Sequence, residues 1–556
     1  MCGIFCFIGN SKRDLKSIHS KLINRGPDNN TTILFDDNIY FAFYRLIIND
    51  FSPIANQPFS YCNMNLICNG EIYNYLAIEK IYDLQTISNS DCEVILPLYY
   101  KLLNKNLMDS VDKLKTIKET VIELSNILDG EFAFIIYDRL NNLIIAVRDK
   151  MGVRPLFYGV DDNEFCFSSE IKATPENHRV EPFKPSHFMI LDNNKILCYE
   201  QYYNLEKRII KHQDNIQFMY EKIRYSLTNA VKKRVINTEV ELGCLLSGGL
   251  DSSLVSALAT QIIGKPIKTF AIGMEGSADL EYAKIVADHI KSNHTTILCT
   301  KEEFLEAIPE VIRAIESYDT TSVRASVGNY LVSKYIKKNT NIKIVLNGDY
   351  SDEICGGYAY MKKANEEQFV SETFRLLKDI YLFDSLRSDR SIASNGLEAR
   401  TPFSDPEFIE CYLSIPIKFR MGKLNEVSSV ANGVIVNELN PTNIEKFMLR
   451  NAFANYGLLP DSVLFRVKTA FSDGVSSAES SWHLTVKSYI DKIITDEEFD
   501  TRHKLYPFNT PQLKETFYYR KIFESYYPSR ENVIPYYWLP KFCGDMIDPS
   551  ARELKI

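Results

Sequence analysis

The chain has 556 residues, 45% of them hydrophobic, 12% aromatic and 24% charged. That apolar mass is enough to offset chain entropy and excludes a mainly disordered protein, and the length implies roughly two to four domains. The 64 basic and 72 acidic residues leave a net charge of −8, so no overall field draws phosphate backbones or anionic lipid, and nucleic acid is not an expected partner.

No apolar run approaches the ~18 residues needed to span a bilayer. The opening MCGIFCFIGNSKRD has its basic residues after the short apolar stretch, the reverse of a secretion signal. Neither membrane nor export is expected. The 12 cysteines are scattered with no CxxC pair and HExxH is absent, which argues against structural zinc and for a reducing, cytoplasmic compartment.

Residues 1 to about 200 read as short strands divided by turn residues. FAFIIYD (132–138) and LIIAV (143–147) flank Asn141-Asn142, and FMIL (188–191) and ILCY (196–199) flank Asp192-Asn193-Asn194; both are hairpin patterns. Between them DCEVILPLYYKLL (91–103) repeats apolar residues at helical spacing before Pro and Asn break the pattern. The expectation is antiparallel sheet with helices in layers, an α+β fold.

After about residue 205 strands and helices alternate. VELGCLL (240–246) precedes a helix from about Ser252, IKTFAI (267–272) precedes one at 279–291, and HTTIL (294–298) and IKIVL (342–346) alternate with helical stretches at 302–316 and 326–338. Alternation of this kind signals a parallel α/β sheet, whose ligands sit beyond the carboxyl ends of the strands. The segments there are SGGLDS (247–252), GMEGS (273–277) and NGDYSDE (347–353). From about 365 onward the chain reads as mostly helical.

Leu246-Ser247-Gly248-Gly249-Leu250-Asp251-Ser252-Ser253 sets two glycines and the hydroxyls of Ser247 and Ser252 between a buried strand and a helix start. Glycines admit close backbone approach, Ser247 and Ser252 donate hydroxyls, and the helix start adds free N–H groups, so the loop is an anion cradle. It lacks GxxxxGK[ST] and any lysine to reach a γ-phosphate, which fits pyrophosphate release better than γ-phosphoryl transfer. At the other end of the chain, Cys2 follows the initiator Met. Removal of Met1 would leave a thiol and a free α-amine on one residue, and an amine titrating near ~8 can take the thiol proton.

The nucleotide loop resembles that of ATP pyrophosphatases. With TFAIGMEGSADLEYAKIVADHI (269–290), SYDTTSVRAS (317–326), GLEARTPFSDPEF (396–408), AFSDGVSSAESSW (470–482), Tyr526-Tyr527-Pro528-Ser529-Arg530 and Asp548-Pro549-Ser550-Ala551-Arg552, the chain is similar to glutamine-hydrolysing asparagine synthetases along nearly its whole length. Arg25-Gly26-Pro27-Asp28, Arg45-Leu46, Asn69-Gly70-Glu71-Ile72-Tyr73-Asn74 and Ser90-Asp91-Cys92-Glu93 resemble the glutaminase half at the family's spacing.

The resemblance implies an N-terminal-nucleophile αββα sandwich at 1–205, followed by an ATP pyrophosphatase-type α/β domain at 206–556. Cys2 would be the nucleophile; Arg45 would pair with the glutamine α-carboxylate, Glu71 and Asp91 would hold its ammonium, and Leu46, Ile47, Ile48 and Asn49 would line the site. Asn69 and Gly70 would form the oxyanion hole, typically worth about 3–4 kcal/mol per donor. ATP would be held by Leu246, Ser247, Gly248, Gly249, Asp251, Ser252, Ile272, Asn347 and Gly348. Asp251 and Asp352 would face Mg²⁺, with Asp349 and Lys468 catalytic at a β-aspartyl adenylate. Glutamine, aspartate and ATP are then the small-molecule partners, ammonia is carried internally, and a homodimer stays open.

Two departures stand out. The family strand end SGEGSDE is Asn347-Gly348-Asp349-Tyr350-Ser351-Asp352-Glu353 here. Asp349 thus replaces a glutamate assigned to adenylate formation and proton removal, one methylene shorter, where a displacement near ~1 Å can cost about 100-fold in rate. The family's HRGPD is Asn24-Arg25-Gly26-Pro27-Asp28, without the histidine. The alternatives are a related adenylating amidotransferase with another carboxylate acceptor, which in its β-lactam-synthetase-like form Cys2 disfavours, and a degenerate paralogue that binds glutamine or nucleotide.

Overall fold

The computed structural model describes every residue except 10–12, 37, 108–111, 212–214, 423–443, 469–473, 477–480 and 550–556. Most of AFSDGVSSAESSW and the Ser550-Ala551-Arg552 end of the last motif therefore lie outside the described residues. The chain divides into two compact units. The first is Met1–Asn204 with Asn237–Val240 and Ala393–Glu398, and the second is Leu205–Ile236, Glu241–Ile392 and Ala399–Ile556.

The first unit holds twelve strands: β1 (Gly3–Ile8), β2 (Asn29–Phe35), β3 (Ile39–Arg45), β4 (Phe59–Tyr61), β5 (Met64–Ile72), β6 (Gly130–Asp138), β7 (Leu143–Arg148), β8 (Phe157–Asp161), β9 (Glu164–Ser168), β10 (Arg179–Pro182), β11 (His187–Asp192) and β12 (Lys195–Gln201). They form two six-stranded sheets, ordered β10-β8-β9-β1-β3-β2 and β12-β11-β7-β6-β5-β4. Both expected hairpins are present, β6 with β7 and β11 with β12.

Alternation along β1 explains the layers. Ile4, Cys6 and Ile8 join Phe41, Phe43, Ile67, Ile135 and Ile144 in a core shared by both sheets, while Phe5 and Phe7 face the other way with Ala42, Tyr44 and Leu22. A strand apolar on both faces must be covered on both. The outer face of the first sheet packs Leu15 and Ile18 of a short helix; helices Ile95–Leu107 and Lys113–Ile127 pack together, the former against β4 and β5. The result is an αββα sandwich. The helix expected at 91–103 begins as a 3₁₀ turn over Asp91–Val94 and runs through Asn104 to Leu107. Pro97 sits in the first turn, where a missing N–H leaves no helical bond unmade.

The second unit is built on β13 (Leu242–Leu245), β14 (Lys268–Gly273), β15 (Asn293–Leu298), β16 (Ile344–Leu346) and β17 (Glu398–Arg400), in the order β15-β14-β13-β16-β17. β13 pairs parallel with β14 on one side and β16 on the other, so the strand order reverses there, the position at which open α/β sheets bind ligands. β13 is followed by the helix Leu250–Ile263, β14 by Ala278–Ile290 and β15 by Lys301–Ile315 and Thr320–Asn339. The last starts six residues before the expected 326–338 stretch because Asp319 caps it, accepting from the Ser322 N–H. β17 has three residues, too few to show an alternating pattern within a stretch that reads as helical. Among the described residues no helix is long and apolar enough to cross a membrane.

Candidate active sites

In the first unit Cys2 immediately precedes β1, and its backbone N–H donates to Asn69 Oδ1 at 2.9 Å. Asn69 is fully buried, and its Nδ2 makes no hydrogen bond among the described residues. β4 pairs only with Met64–Leu66, so the rest of that edge of β5 is left to side chains. Gln57 binds the N–H and C=O of Cys68 there, and Asp91 Oδ2 accepts from the Ile72 N–H at 2.6 Å. Because strand backbone groups alternate in direction, Gly70 between them turns its N–H to the same edge; its carbonyl accepts from the Cys92 thiol there. A Cβ on Gly70 would lie 2.5 Å from the Glu131 carbonyl oxygen, so only glycine fits. Among the described residues the edge thus offers Asn69 Nδ2 as an unused donor, with the Gly70 N–H beside it.

Arg45 ends β3, and its guanidinium is spent on the following loop. It donates to Ser52 O at 3.1 Å, Asn56 Oδ1 at 2.7 Å and Asn49 O at 3.2 Å, and also to Asp50 O. These bonds wrap residues 46–56 around the arginine. Leu46 places its carbonyl 4.0 Å from Cys2 Sγ, and the Ile47 N–H donates to Asp28 Oδ2 at 2.8 Å; Ile48 is buried in the same loop. Asn49 Nδ2 donates to Asn237 O at 3.5 Å. Glu71 is buried on β5 two residues from Asn69.

The RGPD segment has a structural task that its spacing does not reveal. Arg25 is fully buried, donates from Nε to Cys2 O at 3.0 Å and pairs with Glu170 at 3.1 Å. A Cβ on Gly26 would strike Tyr44 O at 2.1 Å. Met1 itself is buried, its ammonium 3.4 Å from Glu398 and its Sδ 2.7 Å from Arg154. Burial pushes the Cys2 thiol up to about 11 while Met1 is attached, so it needs a neighbouring base to act near neutral pH. On removal of Met1, the nitrogen that contacts Asn69 Oδ1 becomes the terminal amine, on the same residue as the thiol.

In the second unit a cavity of about 660 Å³ lies beyond β13, β14 and β16, lined by residues of the SGGLDS loop, Ile272, residues 347–350, Asp352, Glu353, Lys446 and Lys468. Gly248 has φ 72, and a Cβ there would lie 2.4 Å from Ala283 N. Ser247 and Ser252 share a hydroxyl contact at 3.0 Å, and Ser252 Oγ also accepts from the Ser247 N–H at 3.2 Å. Arg466 donates to Gly248 O at 3.2 Å and pairs with Asp279 at 2.7 Å. A Cβ on Gly348 would meet Ser252 N at 2.7 Å and Asp251 Cβ at 2.8 Å, so glycine lets the β16 end press against the helix start. Leu246 is tied to β14 by its N–H on Phe270 O at 2.8 Å, and Asn347 to Arg400 O at 3.2 Å.

That approach brings Asp251 and Asp352 onto one cation. Lys446 Nζ is 2.6 Å from Asp251 Oδ2, 2.6 Å from Asp352 Oδ1 and 3.2 Å from Ser351 Oγ; Lys468 Nζ is 2.6 Å from Asp352 Oδ2. Burial opposes ionisation of Asp352, yet the two lysines outweigh it and hold its carboxyl well below the usual range. Burial likewise opposes the charge on Lys446, and the two aspartates raise it above an ordinary lysine. Two converging, largely buried carboxylates suit a hard divalent cation, so the donors present fit Mg²⁺. Lys446 belongs to no motif read from the sequence. A left-handed backbone (φ 59) and Gly357, where a Cβ would strike Lys446 Cε and Asp352 Oδ1, bring it there.

Comparison with known proteins separates the two units in the same order. A glutamine amidotransferase domain model matches residues 1–187, and an asparagine synthase model matches 222–371 and 362–536. A probable glutamine-hydrolysing asparagine synthetase of Acanthamoeba polyphaga mimivirus is 39% identical over 589 residues, covering 100% of both chains. Asparagine synthetases of Cricetulus griseus and Homo sapiens are each 39% identical, covering 100% of this chain and 98% of their own. The chain belongs to the glutamine-hydrolysing asparagine synthetase family.

Against the family's SGEGSDE, Tyr350 stands at a glycine and adopts φ 79, a left-handed conformation that costs a bulky residue on the order of 1–3 kcal/mol. Asp349 is drawn to Arg387 at 2.8 Å, and Arg387 also holds Asp384 at 2.8 Å. Asp384 and Arg387, like Lys446 and Arg466, carry site geometry that motif reading passed over, because each arrives from a distant part of the chain. Replacing Lys446 by Met leaves two largely buried carboxylates facing each other with Lys468 alone beside Asp352, and breaking a buried pair destabilises by about 3–5 kcal/mol. A lowered melting temperature for Lys446→Met, partly restored by millimolar Mg²⁺ without nucleotide, is the expected calorimetric result.

Proposed function

We propose that this chain makes asparagine from aspartate, ATP and glutamine, releasing AMP, diphosphate and glutamate. Residues 1–205 act as the glutaminase domain and 206–556 as the synthetase domain. The observation that carries the reading is the placement of Cys2 N against Asn69 Oδ1, with Asn69 Nδ2 buried and unused beside it. Nucleophile, its base and one oxyanion donor then meet at one strand edge.

With Met1 removed, the α-amine of Cys2 accepts the thiol proton and the thiolate attacks the glutamine carboxamide. Asn69 Nδ2 and the Gly70 N–H take the developing oxyanion, where a preorganised donor is worth about 3–4 kcal/mol. The C–N bond breaks, the amine returns its proton to the departing ammonia, and water hydrolyses the thioester to glutamate. Arg45 and the loop Leu46–Asn49 receive the α-carboxylate end of glutamine, and Glu71 and Asp91 its ammonium.

In the second unit the aspartate β-carboxylate, a poor electrophile, is first activated: it attacks the α-phosphorus of ATP and pyrophosphate departs. Ser247, Gly248, Gly249 and Ser252 cradle the phosphates, and Leu246, Ile272, Asn347 and Gly348 border the nucleotide. Asp251 and Asp352 would hold Mg²⁺, which when bound supplies positive charge to the departing pyrophosphate. Lys468 neutralises charge at the adenylate, and Asp349 removes the proton from attacking ammonia as AMP leaves. We place the chain in the cytoplasm, a setting that its scattered cysteines support.

Incubation with glutamine, aspartate, ATP and Mg²⁺ is expected to yield asparagine, AMP and pyrophosphate. Cys2→Ala should lose glutamine-driven synthesis while free ammonium still supports it; equal glutamine use by both proteins would overturn the nucleophile assignment. Mass spectrometry of the active protein should show Met1 absent, and full glutaminase activity in a chain retaining Met1 would contradict the terminal-amine base.

A further inference from the structure

The family strand end SGEGSDE and this chain's Asn347-Gly348-Asp349-Tyr350-Ser351-Asp352-Glu353 differ at three positions. The structure divides the first six of these residues by the direction they face. The unaltered Gly348 presses on the nucleotide helix, Ser351 Oγ donates to Asp251 Oδ1 at 2.7 Å, and Asp352 meets the two lysines. Each altered residue instead bonds one helix, Asp384–Ala393. Asn347 Nδ2 donates to Ser388 Oγ at 2.7 Å, Asp349 Oδ1 accepts from Arg387 at 2.8 Å, and the Tyr350 hydroxyl donates to Ser385 Oγ at 2.6 Å.

We infer that Asn347, Asp349 and Tyr350 form one coupled positioning unit, in which docking of Asn347 and Tyr350 on the helix Asp384–Ala393 sets the shortened Asp349 carboxylate at its working place in the cavity. The inference rests on the asparagine-forming reading given above. Tyr350 is 1% exposed, so its ring and hydroxyl are what hold a left-handed turn that glycine would adopt freely. That turn delivers Asp349 with Oδ1 on Arg387, while Oδ2 is buried at the cavity wall and makes no hydrogen bond among the described residues. A glutamate there would carry its carboxylate one methylene further, past the position at which Arg387 now holds it. The two changes therefore compensate each other, and Tyr350 acts through Asp349.

The test is a double-mutant cycle on the full chain, following aspartate-dependent pyrophosphate release with ammonium as nitrogen source. Asp349→Glu alone is expected to lower kcat by about tenfold, since small misplacements of a reacting group are expensive, with the KM for ATP little changed. In the Tyr350→Gly background, which restores the family pair, Asp349→Glu should raise kcat or leave it within about twofold. An equal factor in both backgrounds means independent positions and overturns the inference; so does a large gain from Asp349→Glu alone. Tyr350→Phe, which keeps the ring and removes only the hydroxyl, replaces Tyr350→Gly if that variant fails to melt cooperatively, and must show the same dependence on residue 349. Absence of aspartate-dependent pyrophosphate release by the unaltered protein would instead defeat the reading of the reaction, a result separate from any outcome of the cycle.

Discussion

The bridge from Lys446 to both Asp251 and Asp352 is the constraint around which the synthetase site is arranged. Two carboxylates at 2.6 Å from one ammonium exist only because the ends of β13 and β16 are pressed together, and that pressing depends on Gly348 having no side chain against Ser252 and Asp251. Desolvation makes each charge expensive alone, so the cluster is stable only as a set. A site of this kind holds its negative charge in a defined place before nucleotide arrives, which limits the reorganisation needed when pyrophosphate charge develops.

The glutaminase unit meets a different requirement by comparable means. The chemistry proposed for it sits at an edge of β5 from which β4 is absent beyond Leu66, and an unpaired edge is a row of donors and acceptors awaiting partners. Gln57 and Asp91 occupy the neighbouring backbone groups, which leaves Asn69 Nδ2 as an unused donor among the described residues, with the Gly70 N–H beside it. Arg25 fixes the Cys2 carbonyl from below the sheet, and Arg45 gathers four acceptors of the loop that passes Cys2. Buried arginines with several acceptors each are costly to mispair, which gives the surrounding loops one arrangement.

Much of this was legible in the chain itself. Apolar runs flanking Asn141-Asn142 and Asp192-Asn193-Asn194 foretell the hairpins β6–β7 and β11–β12, and the strand-helix alternation after residue 205 foretells the parallel sheet. Extended runs with turn punctuation announce themselves locally. The three-residue β17 does not, and the helix Ile95–Leu107 outlasts the Asn that ought to end it because packing on β4 and β5 overrides a weak local preference. Lys446 carries no signal at all: one lysine near a 20-residue stretch of unremarkable composition looks like solvated charge until the backbone turns left-handed and buries it.

By itself the sequence determined the chemical inventory: a cysteine next to the first methionine, an NG pair within a family motif, and an SGGLDS loop between strand and helix. Short-range spacing and covalent neighbourhood are enough to decide these. Tertiary structure alone decided which lysine bridges the aspartates, which arginine steadies Cys2, and toward which helix the altered residues 347, 349 and 350 turn. Those outcomes depend on burial and on charges more than a hundred residues apart, or on groups meeting across packed elements, and the free energy of such contacts exists only once water has been excluded from between them.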